Sequence, residues 1–308
     1  VYSLGTPYRG FQGDIFLEFQ RGSGTRTIAQ SLADAGVIRH SWQLLLARAI
    51  NPTAKLQAGE YRFAEPASVL DIFSRLRRGD IYYFDFTVPE GSNMFDIARL
   101  LEEERIIAAA DFLRAAADPV RIHDLAPTAK TLEGYLFPST YRLSHSTTGA
   151  DLCQMMTAEF RQHWKKLAGP EANVHQTVTL ASLVEKETGV PEERAVIAGV
   201  FANRMRIGMR LDCDPTVIYA ALIENRYRGV IHRSDLDKQN PYNTYQNAGL
   251  PPGPIANPGA AALAAALAPA QTHFLYFVAK PGGGGHVFSS TLAAHEKAVR
   301  SYRHGATR

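Results

Sequence analysis

Cysteine is scarce in this chain: Cys153 and Cys213 are the only two in 308 residues, and neither stands in a motif. That excludes a disulfide-stapled framework and a zinc site of closely spaced Cys and His. Two buried free thiols are the default expectation, and a single bridge between them stays open. No apolar run reaches the length that crosses a bilayer. No long basic run exists either, and the net charge is only +3, which argues against a dedicated nucleic-acid binder. Phosphate cradles of the GxGxxG and GxxxxGK[ST] kinds are absent, as is a GxSxG nucleophile elbow. The run Gly282–Gly285 precedes a strand pattern, so it reads as a hairpin turn. Asp212 and Asp214 lack the further oxygen ligands a hard metal needs. The chain starts at Val1, so a missing leader or anchor says nothing about location.

What is present is ordinary globular material, 45% hydrophobic and 20% charged, and long enough for two domains. An internal repeat organises the front half. Phe16–Phe19 reads as a strand, followed by Gly22-Ser23 and the helix pattern TRTIAQSLADAGVI. Phe84–Val88, Gly91-Ser92 and NMFDIARLLEEERII repeat it, with Ile28 matching Ile97 and Leu32 matching Leu101. Each unit continues into a second helix, from Ser41 and from about Ala109. Ala58–Phe63 adds a strand, and Val69, Ile72, Phe73 and Leu76 fall at helical spacing after it. This strand-helix-helix-strand order resembles a LysM-type carbohydrate-binding module; a plain α+β subdomain without a ligand is the equal alternative. The expectation is an α+β fold: a LysM-like module over residues 1–82, then a mixed α/β catalytic domain over residues 83–308. The segment from Ser234 to Asn257 has little periodicity and several prolines, amides and tyrosines, which favours an ordered binding loop. Asp214-Pro215 reads as a capped helix start.

The stretch Thr177–Pro191 carries the chemistry. From Val178 to Val184 only Thr179 and Ser182 are polar, so the helix is expected to be buried on all sides. Glu185 and Glu187 follow, before Gly189 and Pro191 stop it. Burial and the negative end of a helix both raise a carboxyl pKa, which suits a general acid. The two glutamates point about 200° apart on a helix, so they cannot flank one bond as a glycosidase pair. Glu185 shares its face with Val178, Ala181 and Ser182, where small residues leave room for a ligand. It is therefore the expected catalytic residue, and Glu187 the expected ion-pair partner of a structural cation. Tyr242, Asn243, Tyr245, Asn203, Arg204, Asp214, His286 and Ser289 complete the candidate set, at helix ends and in the long loop.

Four blocks resemble, in order, the MltG/YceG family of endolytic murein transglycosylases. They are EGYLFPSTY, ASLVEKETGVPEERAVIAGVFANRMRIGMRLDCDPTVIYA, PYNTYQNAGLPPGPIANPG and LYFVAKPGGGGHVFSS. The resemblance spans essentially the whole chain. It implies Glu185 as acid then base, protonating the MurNAc–GlcNAc linkage and then activating the MurNAc C6 hydroxyl to give a 1,6-anhydroMurNAc end. It implies glycan contacts from Tyr242, Asn243 and Tyr245, a cleft shaped by Asn203, Arg204, Asp214 and Thr216, and His286 and Ser289 near the site. It implies no cofactor and no metal. The partners it implies are peptidoglycan strands and candidate peptidoglycan synthases, with no nucleic acid. The implied location is the periplasm, on a single-pass inner-membrane anchor absent from this chain. Hydrolysis with Asp214 activating water is one alternative. A peptidoglycan-binding scaffold without turnover is another.

Overall fold

The structure is a computed structural model that describes residues 2–169 and 171–305. Two compact units emerge, each described here by itself. The first comprises the chain through Phe86 together with Arg142–Thr147. In it α1 (Tyr2–Gly5) precedes β1 (Ile15–Phe19), α2 (Thr25–Asp34), α3 (Ser41–Ile50), β2 (Gly59–Phe63) and α4 (Val69–Arg78). β1 and β2 pair antiparallel with Leu17 opposite Tyr61, which closes the expected strand-helix-helix-strand order. The apolar positions read at helical spacing do become its core: Ile28, Leu32, Leu44, Ile72, Phe73 and Leu76 pack around Tyr61. A reciprocal capping box sets the start of α4. Ser68 Oγ accepts the Asp71 N–H, and the Asp71 carboxylate accepts the Ser68 N–H. Arg142–Thr147 belong here because the buried Glu60 carboxylate accepts both His145 Nδ1 (2.8 Å) and the His145 backbone N–H (3.1 Å). A linear cut at residue 82 does not anticipate that return.

The chain leaves the first unit within β3 (Phe84–Thr87) and revisits it within β4 (Thr140–Leu143); these two strands pair. The second unit holds α5 (Met94–Glu103), α6 (Ala109–Ala116), α7 (Gly149–Leu167), α8 (Val174–Glu187), α9 (Arg194–Arg206) and α10 (Asp214–Ile223). Then come α11 (Arg233–Leu236), α12 (Ala260–Leu267), the hairpin β5 (Tyr276–Ala279) and β6 (His286–Ser289), and α13 (Leu292–Gly305). Among the described residues every sheet is two-stranded. The second unit is thus mainly helical. The repeat is real as local structure: Gly22 and Gly91 both take the left-handed conformation (φ 87° and 74°) between a strand and a helix.

α8 is buried from Val178 to Val184, and it packs on α9, α10 and α12. Its two small polar residues are satisfied locally. Thr179 Oγ1 donates to the His175 carbonyl (2.7 Å) and Ser182 Oγ to that of Thr179 (2.7 Å). Ser182 Oγ also accepts the Ile255 N–H, which draws the end of the long loop onto the helix.

Beside this helix lies a buried polar hub centred on Asn257. Its Oδ1 accepts the N–H groups of Gly134 (2.8 Å) and Leu136 (2.9 Å). Its Nδ2 donates to the Ser92 carbonyl (2.9 Å) and to Glu133 Oε1 (3.0 Å). The Asn257 carbonyl accepts the Gly91 N–H, and its own N–H donates to Ser92. Two segments distant in sequence are thereby fixed to one side chain in a third. Asn257→Ala leaves several buried groups unpaired, so we expect a loss of about 3 kcal/mol or more, read as a lower urea midpoint. A loss below about 1 kcal/mol would show that these bonds are replaced by others.

Glu133 is 2% exposed, and burial pushes its carboxyl from 4.5 up to about 8; the Met94 N–H and the Tyr219 hydroxyl oppose that rise. The folded state therefore holds this proton where the unfolded chain releases it. The contribution is full below pH 4.5 and is lost as pH rises towards about 8. Thermal unfolding followed over this range should show wild-type stability falling with pH and Glu133→Gln stability changing less. Parallel pH profiles would contradict this.

Candidate functional site

The two glutamates at the end of α8 part company in the structure. The Glu185 side chain is only 6% exposed and is already engaged. Its Oε2 accepts the N–H of Gly259 (2.9 Å), which caps α12, and Arg194 lies 3.8 Å from its Oε1. A carboxylate at a helix N-terminus is a stabilising arrangement. Glu185 is also walled in. A Cβ at Gly91 would stand 3.4 Å from Glu185 Cγ, and one at Gly259 would run into the Glu90 carboxylate. Its pKa is raised, chiefly by burial and then by Glu90, with the Gly259 N–H and Arg194 opposing. The ion pair expected of Glu187 thus belongs to Glu185.

Glu187, the last residue of α8, points elsewhere. Burial raises its pKa, and the negative charge of Asp214 adds to the rise. The Cys213 thiol donates to it, and with the neighbouring His286 and Arg204 it opposes that rise. Burial pushes the Cys213 thiol well above its ordinary value, so the sulfur keeps its proton and remains a donor. Cys153 and Cys213 are both buried and free.

Three elements bring groups to Glu187. α10 starts beside it, but Asp214 is not the cap: Cys213 occupies that position and Asp214 the first turn. The exposed Asp214 carboxylate accepts the Tyr245 hydroxyl at 2.6 Å instead. That bond, after burial, contributes to a raised Tyr245 pKa, so the phenol stays a donor. From α9, Arg204 is 8% exposed and reaches the carbonyls of Leu275 (2.6 Å) and Leu211 (2.7 Å), with Asp212 at 3.8 Å. From β6, His286 is held by Glu193, whose Oε2 faces Nδ1 (2.7 Å) and whose Oε1 accepts the backbone N–H (2.7 Å). Ser289, four-residue strand β6's last position, is buried and pairs in register with Tyr276.

Several expected contact residues prove to build the wall. Asn243 is 1% exposed; its Nδ2 donates to the carbonyls of Asp235, Leu236 and Lys238, and its Oδ1 accepts the Tyr245 N–H. It folds the loop that presents Tyr245. Thr216 is fully buried, donating to the Cys213 carbonyl and meeting Thr244 Oγ1 at 2.9 Å. Asn203 Nδ2 is used by the carbonyls of Thr272 and Phe274. Tyr242 is half-buried against Tyr219, with ring centroids 5.0 Å apart, and burial pushes its hydroxyl up to about 12. The polar side-chain atoms of Asn243, Thr216 and Asn203 are thus engaged within the protein. Sequence reasoning missed Glu193 and Glu133. Both lie inside blocks that resemble the family, but nothing in the periodicity of Glu133-Gly134 or of the pair Glu192-Glu193 singles either out.

The pattern of the YceG-like family matches residues 17–301. The chain is 34% identical over 301 residues to a Bacillus subtilis protein named endolytic murein transglycosylase, covering 91% of this chain and 82% of that protein. A Streptococcus pneumoniae protein of the same name is 28% identical over 313 residues; 91% of this chain matches 57% of that longer protein. A crystal structure of a YceG-like protein from Listeria monocytogenes superposes with a TM-score of 0.59 at 32% identity, covering 92% of this chain and 98% of that one. Family pattern, relatives and solved structure agree over nearly the full length: the chain belongs to the YceG-like family.

Proposed function

We propose that this chain is a peptidoglycan lytic transglycosylase that cleaves within glycan strands and uses Glu187 as its acid and then its base. The class of activity rests on the relatives that carry that name. The choice of glutamate rests on one observation. Glu187 is desolvated and faces Cys213, Asp214, His286 and Arg204, whereas Glu185 is committed to the Gly259 N–H and Arg194. Glu185 thus yields the catalytic role that its sequence face suggested.

A neutral Glu187 donates its proton to the oxygen between MurNAc C1 and GlcNAc as that bond breaks. Positive charge spreads over C1 and the ring oxygen, an oxocarbenium-like state. The Asp214 carboxyl group, held by the Tyr245 hydroxyl and close to Glu187, is in this reading the group that favours that state electrostatically. The Glu187 carboxylate then takes the proton of the MurNAc C6 hydroxyl, whose oxygen bonds to C1. The product is a 1,6-anhydro end, and Glu187 regains its proton without consuming water. Attack from within the same sugar supplies proximity in place of an activated water. The first unit has the strand order of a carbohydrate-binding module, and holding the strand is its part in this reading. No helix among the described residues is long and apolar enough to cross a membrane. We place the chain in the periplasm beside its substrate, held at the inner membrane.

Hydrolysis is the second reading, favoured by the presence of Asp214 as a second carboxylate near Glu187. Mass spectrometry of muropeptides released from purified sacculi separates the two: anhydro ends are one water lighter than hydrolysed ends. Glu187→Gln should lower release by about 100-fold or more while thermal unfolding stays close to wild type. Glu185→Gln should lower the unfolding temperature and retain measurable release. The reverse pattern would return the catalytic role to Glu185. Water-containing ends, lost in Asp214→Asn, would replace transglycosylation by hydrolysis.

A further inference from the structure

A basic pocket borders the candidate site and has no role in the chemistry just described. It encloses about 500 Å³ and is lined by Arg210, His232, Arg233, Leu236, Asp237 and Tyr245, among others. Tyr245 joins the two places. Its hydroxyl donates to Asp214, its backbone carbonyl accepts Arg210 Nη1 (2.5 Å), and the residue itself forms part of the pocket wall.

Charge in this region is unevenly spent. Arg226 is paired with Glu224 and Asp235, and Lys238 with Glu224. Those cations are neutralised within the loop. Arg233 and Arg210, both exposed, have no carboxylate within 4.0 Å among the described residues. Arg210 makes its one bond to a neutral carbonyl. The pocket therefore presents two open guanidinium groups against the single carboxylate of Asp237, with Leu236 as an apolar wall. A guanidinium offers paired N–H donors matched to a carboxylate. In an intact strand the MurNAc lactyl carboxyl is consumed in the amide to the peptide, so the glycan itself offers no anion to satisfy it. The short peptides that branch from MurNAc in peptidoglycan carry free carboxylates.

We propose that this pocket binds a carboxylate of the stem peptide on a strand lying in the candidate site, so that the protein prefers peptide-bearing strands to stripped ones. Arg233 supplies the principal contact and Arg210 the second. The inference rests on the peptidoglycan reading of the site.

The test uses fluorescently labelled strands of equal length in three forms: peptide-bearing, peptide-bearing with amidated carboxylates, and stripped by an amidase with the lactyl carboxyls so exposed capped as amides. Binding by anisotropy and cleavage are measured separately. The wild type is expected to bind the first form about 3- to 10-fold more tightly than the other two, and to show the same ratio in KM. Arg233→Glu should bring that ratio to one or below, and Arg233→Lys should keep part of it. Equal binding of all three forms by the wild type, or an unchanged ratio in Arg233→Glu, overturns the proposal. A preference for amidated peptides equal to that for free ones also overturns it. Peptide-dependent binding through Arg233 without any cleavage would uphold the pocket and overturn the enzymatic reading. Cleavage blind to the peptide would do the opposite.

Discussion

The amide side chain of Asn257 sits where three stretches of chain must meet, and the local architecture follows from satisfying it. Buried backbone groups need partners, and this side chain supplies them to Gly134, Leu136 and Ser92 at once. Because Asn257 is fixed, Gly259 two residues later is fixed as well, and α12 begins at a defined point. The Gly259 N–H then meets Glu185 at 2.9 Å. Gly91, bonded to the Asn257 carbonyl, closes the other side of that glutamate. One asparagine thus determines what Glu185 is free to do.

That constraint also explains the division of labour at the end of α8. Residues two apart on a helix face nearly opposite ways. With Glu185 turned to the α12 N-terminus, Glu187 must face the α10 start and the β6 hairpin. There it meets a protonated thiol, a carboxylate held by a phenol and two basic side chains. Burial and a neighbouring negative charge raise its pKa; Cys213, His286 and Arg204 restrain the rise. Opposed influences of this kind suit a group that must give up a proton and then recover one in a single turnover.

The loop after α10 shows how a site can be mostly support. Asn243 and Thr216 are spent on carbonyls and hydroxyls inside the wall, and Tyr245 alone of that cluster reaches outward to Asp214. The same tyrosine is the boundary between the reacting groups and the basic pocket. In the proposed reading, recognition of a branch on the strand and placement of the neighbour of Glu187 share this one residue.

Periodicity and turn chemistry were enough to determine the helices, the repeat with its two left-handed glycines, the buried character of α8, and the β5–β6 hairpin. These are local properties, set by side-chain spacing and backbone sterics. The residue blocks by themselves also determined the family. The sequence could say that Glu185 and Glu187 face apart, since that follows from helix pitch. Which one is tied to a helix start was decided only by tertiary structure, because the engagement of Glu185 depends on Asn257, Gly259 and Gly91, far from both glutamates in sequence. Asp214 likewise read as a cap until the loop brought Tyr245 to it. Glu133 gave no sequence signal, because its burial comes from Met94, Asn257 and Tyr219 converging on it. The chain's own pattern fixes the elements, and long-range hydrogen bonds decide which polar side chains are spent on structure and which are left for chemistry.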